Sequence, residues 1–132
     1  MRLWHKDLIP YLPRQQLLGQ WRECCLIAKN IAENGTPNHV LVNKVMEYPK
    51  DHFYTYCKLI TCEMTRRGYK MTMAAQLKVW RELWHYTYDI FPGWHNDRYL
   101  AQCLANLQEK YDCGAVPEED WKNITARWPE WR

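Results

Sequence analysis

The chain has 132 residues, about one domain's worth, enough to hide roughly two-thirds of the unfolded surface in a single core. With 47% hydrophobic and 25% charged residues it is excluded from the disordered and low-complexity classes, and no apolar run approaches the roughly 20 residues needed to span a bilayer. The net charge of +3, from 18 Lys and Arg against 15 Asp and Glu, is only a faint sign of a polyanionic partner unless those charges cluster.

The predicted elements are helices separated by stop signals. Pro13 begins a segment from Arg14 to Glu33, which ends in Asn34-Gly35-Thr36-Pro37, a helix terminator followed by a turn. A second segment starts near Asn38 and is broken by Pro49, which suits an early position of the next helix. From Lys50 the apolar stripe Phe53, Cys57, Ile60 and Met64 closes on Arg66, Arg67 and Gly68, residues suited to a helix C-terminus. A further helix is predicted from Thr72 to Tyr88, with Leu77, Trp80, Trp84 and Tyr88 on a core-facing side. Pro92-Gly93 turns the chain, and Asp97 to Tyr111 and Pro117 to Trp128 complete the set. No strand alternation is present. The expected class is all-α, one compact domain of about five helices spanning residues 1–132.

Two further features of composition bear on function. Eight Trp and nine Tyr stand against two Phe, so most rings carry a polar tip and suit either a core edge or a wet binding surface. Trp21 falls to the core by spacing, while Trp128 and Trp131 are open to either role. The six cysteines form no C-x-x-C pair, and the polar start Met-Arg-Leu-Trp-His-Lys-Asp has no signal-peptide core. Reduced, buried thiols in a cytoplasmic protein are therefore expected. A metal site built from Cys57, Cys62, His52 or His39 is not, nor is a small-molecule enzyme built on His52, His39 or His85.

On a helical wheel the first long helix separates cleanly. Leu17, Trp21, Cys24, Ala28 and Ile31 form the stripe expected to be buried, and Gln15, Gly19, Arg22, Glu23 and Leu26 lie opposite. A mid-helix glycine costs up to about 1 kcal/mol relative to alanine. At Gly19 that cost has a rationale if a ligand or another segment approaches the backbone closely. Arg22 and Glu23 beside this gap supply a cation and a carboxylate, with Gln15 one turn below as an amide donor and acceptor. A plain solvated helix face is the competing reading.

The run Leu12-Pro-Arg-Gln-Gln-Leu-Leu-Gly-Gln-Trp-Arg-Glu, ending at Glu23, resembles the first helix of the phage-type pyrimidine-dimer DNA glycosylases, the ultraviolet-repair endonuclease V family. A leucine, a glutamine, an aromatic residue and an Arg-Glu pair recur in that family at this spacing, about a dozen residues after the start. The helix ending Glu63-Met-Thr-Arg-Arg-Gly-Tyr-Lys is similar to the family's central helix, and the tail Arg127-Trp-Pro-Glu-Trp to its aromatic end.

The resemblance implies an all-α enzyme without metal or cofactor that removes a damaged pyrimidine from duplex DNA and nicks the strand at the resulting abasic site. The family's nucleophile is the N-terminal α-amine, which attacks the sugar C1′ and forms an imine. An α-amine has an ordinary pKa of about 7.7 to 8.0 against about 10.4 for lysine, so more of it is nucleophilic at neutral pH. By this resemblance the catalytic residues are Met1, through its amine, and Glu23, which transfers protons and stabilises cationic imine character. Gln15 and Arg22 match DNA-contacting positions, Arg22 through a bidentate phosphate contact, and Gln16 beside them is a further DNA-binding candidate. Arg2, Arg14, Arg66 and Arg67, with Lys29 and Lys70, are the remaining candidates for phosphate contacts.

Two positions depart from the family pattern. The second residue is Arg2 rather than a small one, so the initiator methionine is expected to be retained and the amine is that of Met1. Gln16 stands where characterised members commonly carry histidine, and it cannot titrate; His5 is the nearest imidazole, with a structural role the more expected one. The expected partner is duplex DNA with a damaged base or abasic site, met as a monomer and away from membranes. The alternative is a nucleic-acid-binding or protein-interaction module that kept the fold and lost the lyase.

Overall fold

A proline stands immediately before three of the four described α-helices, where its fixed φ leads the chain into the first turn and its missing N–H is no loss. A computed structural model describes residues 1–71 and 85–132. Helix α1 spans Arg14–Asn34 after Pro13, α2 spans Lys50–Arg66 after Pro49, and α4 spans Glu118–Arg127 after Pro117. Helix α3, Asp97–Asp112, starts differently: the Asn96 side chain accepts the Tyr99 N–H at 2.9 Å, a side-chain cap for one otherwise orphaned donor. Short 3-10 turns at Lys6–Tyr11, Asn43–Glu47 and Pro129–Trp131 link or end these helices. No strand occurs among the described residues, and the fold is all-α.

The predicted stops are where the chain stops. Gly35 ends α1 in the left-handed conformation at φ 75°, its N–H bonded to the Ile31 carbonyl, a conformation glycine adopts without penalty. At the end of α2 the Tyr69 N–H reaches back to the Met64 carbonyl at 2.9 Å while Gly68 takes φ 81°. The segment from Asn38 to Pro49 forms no α-helix; it folds as a turn and the Asn43–Glu47 3-10 segment. Most of the predicted Thr72–Tyr88 helix, with Leu77, Trp80 and Trp84, lies outside the described residues. Its described end is not helical, and Tyr88 is 99% exposed. The core position expected for Tyr88 is thus corrected: the chain is not helical at residues 85–88, so helical spacing does not set which way this ring faces.

Helix α1 buries the predicted stripe Leu17, Trp21, Cys24, Ala28 and Ile31 and packs on α2, which buries Phe53, Tyr56, Cys57, Ile60 and Met64. The Lys6–Tyr11 turn seats Leu8 and Ile9 against α2 and α4. Residues 85–95 are laced to α2 by the Thr87 N–H on Thr55 Oγ1 at 2.8 Å and the Phe91 N–H on His52 Nδ1 at 2.9 Å. Phe91 takes φ 53°, a conformation non-glycine residues seldom hold, and complete burial of its ring fixes it there. Trp128 is buried edge-on to Tyr11 and Trp131 is half-buried, so this tail closes the core. Cys24, Cys57 and Cys103 are buried as expected, Cys25 is half-buried, and Cys62 and Cys113 are exposed.

Candidate active site

The first residues of the chain enter the core without forming a helix or strand, so their backbone polar groups need partners from elsewhere. Three helices supply them through side chains. Gln20 of α1 accepts the Trp4 N–H at 2.8 Å and donates to the Arg2 carbonyl at 3.0 Å. Tyr56 of α2 places its hydroxyl 2.7 Å from the Trp4 carbonyl and 2.8 Å from Gln20 Oε1, with one proton to share between them. Tyr99 of α3 donates to the Leu3 carbonyl. Leu3, Trp4, Gln20 and Tyr56 are all buried, so this clamp works away from water, where each bond is costly to lose.

The clamp sets the N-terminus beside Glu23. Gln20 Nε2 donates to Glu23 Oε2 at 3.1 Å, so a single amide holds both the Arg2 carbonyl and the carboxylate. Glu23 forms no ion pair among the described residues. Partial burial pushes its carboxyl above the usual range, against the pull of the Met1 ammonium, the Arg2 backbone N–H, His39 and Arg22. The group therefore sits within electrostatic reach of the Met1 amine with no structural ion-pair role, and burial makes it a better proton carrier near neutral pH.

A histidine pair lies under the same segment. His5 and His95 stack with centroids 5.1 Å apart, and both are buried. His95 Nδ1 accepts the Lys6 N–H at 3.0 Å, which leaves its proton on Nε2. Desolvation, reinforced by His5 and Lys6, lowers the His95 pKa to about 3. His5 is also held below its ordinary value, chiefly by burial, and its Nδ1 caps the Asp7 N–H. These imidazoles are neutral supports of the N-terminal segment.

The predicted DNA-contacting residues occupy several settings. Arg22 is exposed on α1, and its guanidinium lies 3.8 Å from where a Cβ on Gly19 would stand. Gln15 is exposed, while Gln16 is half-buried with an Oε1 that has no hydrogen-bond partner among the described residues. Arg2 is half-buried, its guanidinium over the Trp4 ring and 3.9 Å from Cys103 Sγ. Arg14 is exposed over the Tyr69 ring.

Arg66 and Arg67 both pair with the buried carboxylate of Glu63. The Arg67 side chain, 17% exposed, also donates to the Leu12 and Pro10 carbonyls, binding the end of α2 to the end of the Lys6–Tyr11 turn. Arg66 remains 65% exposed. Burial alone would raise the Glu63 pKa, but the two guanidiniums outweigh it and hold the carboxyl below its usual range.

Sequence reading missed Gln20, Tyr56 and Tyr99. For Gln20 a signal exists: it stands between Leu17 and Cys24 on the buried stripe, and a glutamine there needs partners for its amide. Tyr56 and Tyr99 carry no such signal, because a tyrosine at a core position is ordinary.

Comparison with curated proteins and with solved structures finds no match for this chain. The family model described as pyrimidine dimer DNA glycosylase matches residues 1–77. That span holds the N-terminal segment, α1 and α2, and so contains Met1, Gln20, Glu23 and Tyr56. Because the match covers more than half of the chain, the chain belongs to the pyrimidine dimer DNA glycosylase family.

Proposed function

We propose that the chain is a DNA N-glycosylase with abasic-site lyase activity, using the Met1 amine as nucleophile and Glu23 as proton carrier. The amine adds to C1′ of the damaged nucleotide as the base departs with the bonding electrons and takes up a proton. Loss of the ring oxygen from C1′ gives an imine to Met1. The cationic imine acidifies the C2′ proton, and its removal expels the 3′ phosphate and cuts the strand. Glu23 serves these proton transfers and steadies the positive charge.

The observation that carries this reading is the joint hold of Gln20 on the Arg2 carbonyl and on Glu23, which places a carboxylate free of ion pairs, among the described residues, beside the chain start. Phosphate contacts from Arg2, Arg14 and Arg22 offset the few kcal/mol needed to expose a base. Binding to damaged duplex should therefore weaken steeply with salt. The test is borohydride reduction in the presence of an abasic oligonucleotide: an imine is trapped as a stable cross-link. A module that kept the fold without the lyase would show the salt dependence and no cross-link.

A further inference from the structure

Acting on a base inside a duplex requires that the stack be opened, and the site described so far contains charge and hydrogen bonds but nothing that separates bases. Many proteins that kink duplexes insert apolar side chains between base steps. Among the described residues Val40 is 83% and Leu41 51% exposed. Side by side at a turn, they form an exposed aliphatic tip.

The turn that carries them is braced. The His39 carbonyl accepts the Val42 N–H at 3.0 Å and the Asn43 N–H at 2.8 Å. Asn43 Oδ1 accepts the His39 N–H at 2.9 Å, and His39 Nδ1 accepts the Leu41 N–H at 3.3 Å. Asn30 of α1 donates to the Pro37 carbonyl at 3.1 Å, and Val42 is fully buried beneath the tip. The two aliphatic side chains are thus presented on a stiff support rather than on a loose loop, and ordering them on contact costs little entropy.

Location ties the turn to the candidate active site. Val40 and Leu41 line a cleft of about 310 Å³ with Lys44, Trp94, Arg98 and Tyr99, and Tyr99 is the residue that holds the Leu3 carbonyl. His39, at the base of the turn, lies within electrostatic reach of Glu23. On α1, Glu23, Leu26 and Asn30 follow at helical spacing on one face, so the Asn30 bond to Pro37 brings the turn back along the face that carries Glu23. Lys44 and Arg98 flank the apolar tip with positive charge, a pattern that fits a base step between two phosphate strands.

We infer that the Val40–Leu41 turn is a wedge that enters the base stack of duplex DNA next to the lesion. This rests on the reading of the chain as a DNA glycosylase, but its test is independent of chemistry. The probe is a duplex containing a stable tetrahydrofuran abasic analogue with 2-aminopurine beside it, whose fluorescence rises when the base is unstacked. Saturating wild-type protein, with binding followed separately by anisotropy, should raise that fluorescence several-fold. The double variant Val40→Ser, Leu41→Ser, checked for native helical content by circular dichroism, should bind with the same salt slope and lose most of the rise.

An equal rise in the variant overturns the wedge, as does a wild-type protein that binds without any rise. Loss of binding altogether in the folded variant also overturns it, since the tip would then serve docking rather than unstacking. If the wild-type protein unstacks the probe but forms no borohydride cross-link with a true abasic site, the wedge stands and the lyase reading falls.

Discussion

The side-chain amide of Gln20 stands 3.0 Å from the Arg2 carbonyl and 3.1 Å from Glu23 Oε2, so one buried residue fixes the start of the chain and the nearby carboxylate together. Replacing Gln20 with Leu keeps the volume but strands the Trp4 N–H and the Arg2 carbonyl. Leaving such groups unpaired costs about 1 to 3 kcal/mol each, so a loss of roughly 2 to 6 kcal/mol in urea unfolding is expected. Cross-linking to an abasic strand should fall with it, even at temperatures where the variant is fully folded. Unchanged stability would mean that the clamp is not holding the N-terminal segment.

Glu23 is held above its usual carboxyl pKa by burial, and the sign of the consequence is fixed. The fold favours the protonated form, so ionised Glu23 is a destabilising charge once the pH exceeds its folded pKa, and the penalty vanishes below the unfolded value near 4.5. Glu23→Gln should therefore melt higher than wild type at pH 7, with the gain shrinking toward zero as pH falls through that range. Strand cleavage by this variant should drop by roughly 10²- to 10⁴-fold. A variant less stable at pH 7 would assign Glu23 a structural role instead.

Among the described residues, the Arg22 guanidinium alone comes within ordinary contact distance of where a Gly19 side chain would begin, at 3.8 Å. Gly19→Ala should then stabilise the free protein by up to about 1 kcal/mol, the helix-propensity difference. The same change should weaken binding to damaged duplex if the DNA backbone uses that gap. Thermal melts and anisotropy titrations on one preparation separate the two effects, and higher stability with unchanged affinity would remove Gly19 from the DNA-facing surface.

The His95 pKa of about 3 makes acid a specific stress. Below about pH 6.5 the unfolded chain takes up a proton that folded His95 refuses, so stability falls by about 1.4 kcal/mol per pH unit from this group until pH nears 3. His95→Asn keeps an acceptor for the Lys6 N–H and cannot titrate. Its unfolding free energy, lower at neutral pH for the lost ring packing, should decline less steeply than wild type between pH 6 and pH 4. Parallel slopes would contradict a buried neutral imidazole.

Much of the fold is legible because its signals are local. Pro13, Gly35, Pro49, Gly68 and Pro117 mark helix ends through backbone geometry alone, and the α1 stripe follows from a 3.6-residue period. What could not be read depends on distant partners. Nothing within the sequence near Tyr56 or Tyr99 indicates that their hydroxyls end on the carbonyls of Trp4 and Leu3. Arg67 looked like a phosphate ligand because an arginine at a helix exit is usually solvated; in the fold its guanidinium is spent on Glu63, Leu12 and Pro10. Glu23 stood out on the helical wheel and took its catalytic role from a resemblance, and its distinguishing property, partial burial without an ion pair among the described residues, arises only when the N-terminal segment packs against α1.

The central claim is that the Met1 amine is the nucleophile. The most direct measurement reduces the protein with borohydride in the presence of an abasic oligonucleotide, digests the cross-linked product and locates the retained deoxyribose fragment by mass spectrometry. The account predicts the adduct on the N-terminal peptide at the α-amine of Met1, with its formation slowed strongly in Glu23→Gln. An adduct on a lysine side chain, no adduct at all, or one that forms at the wild-type rate in Glu23→Gln would contradict it.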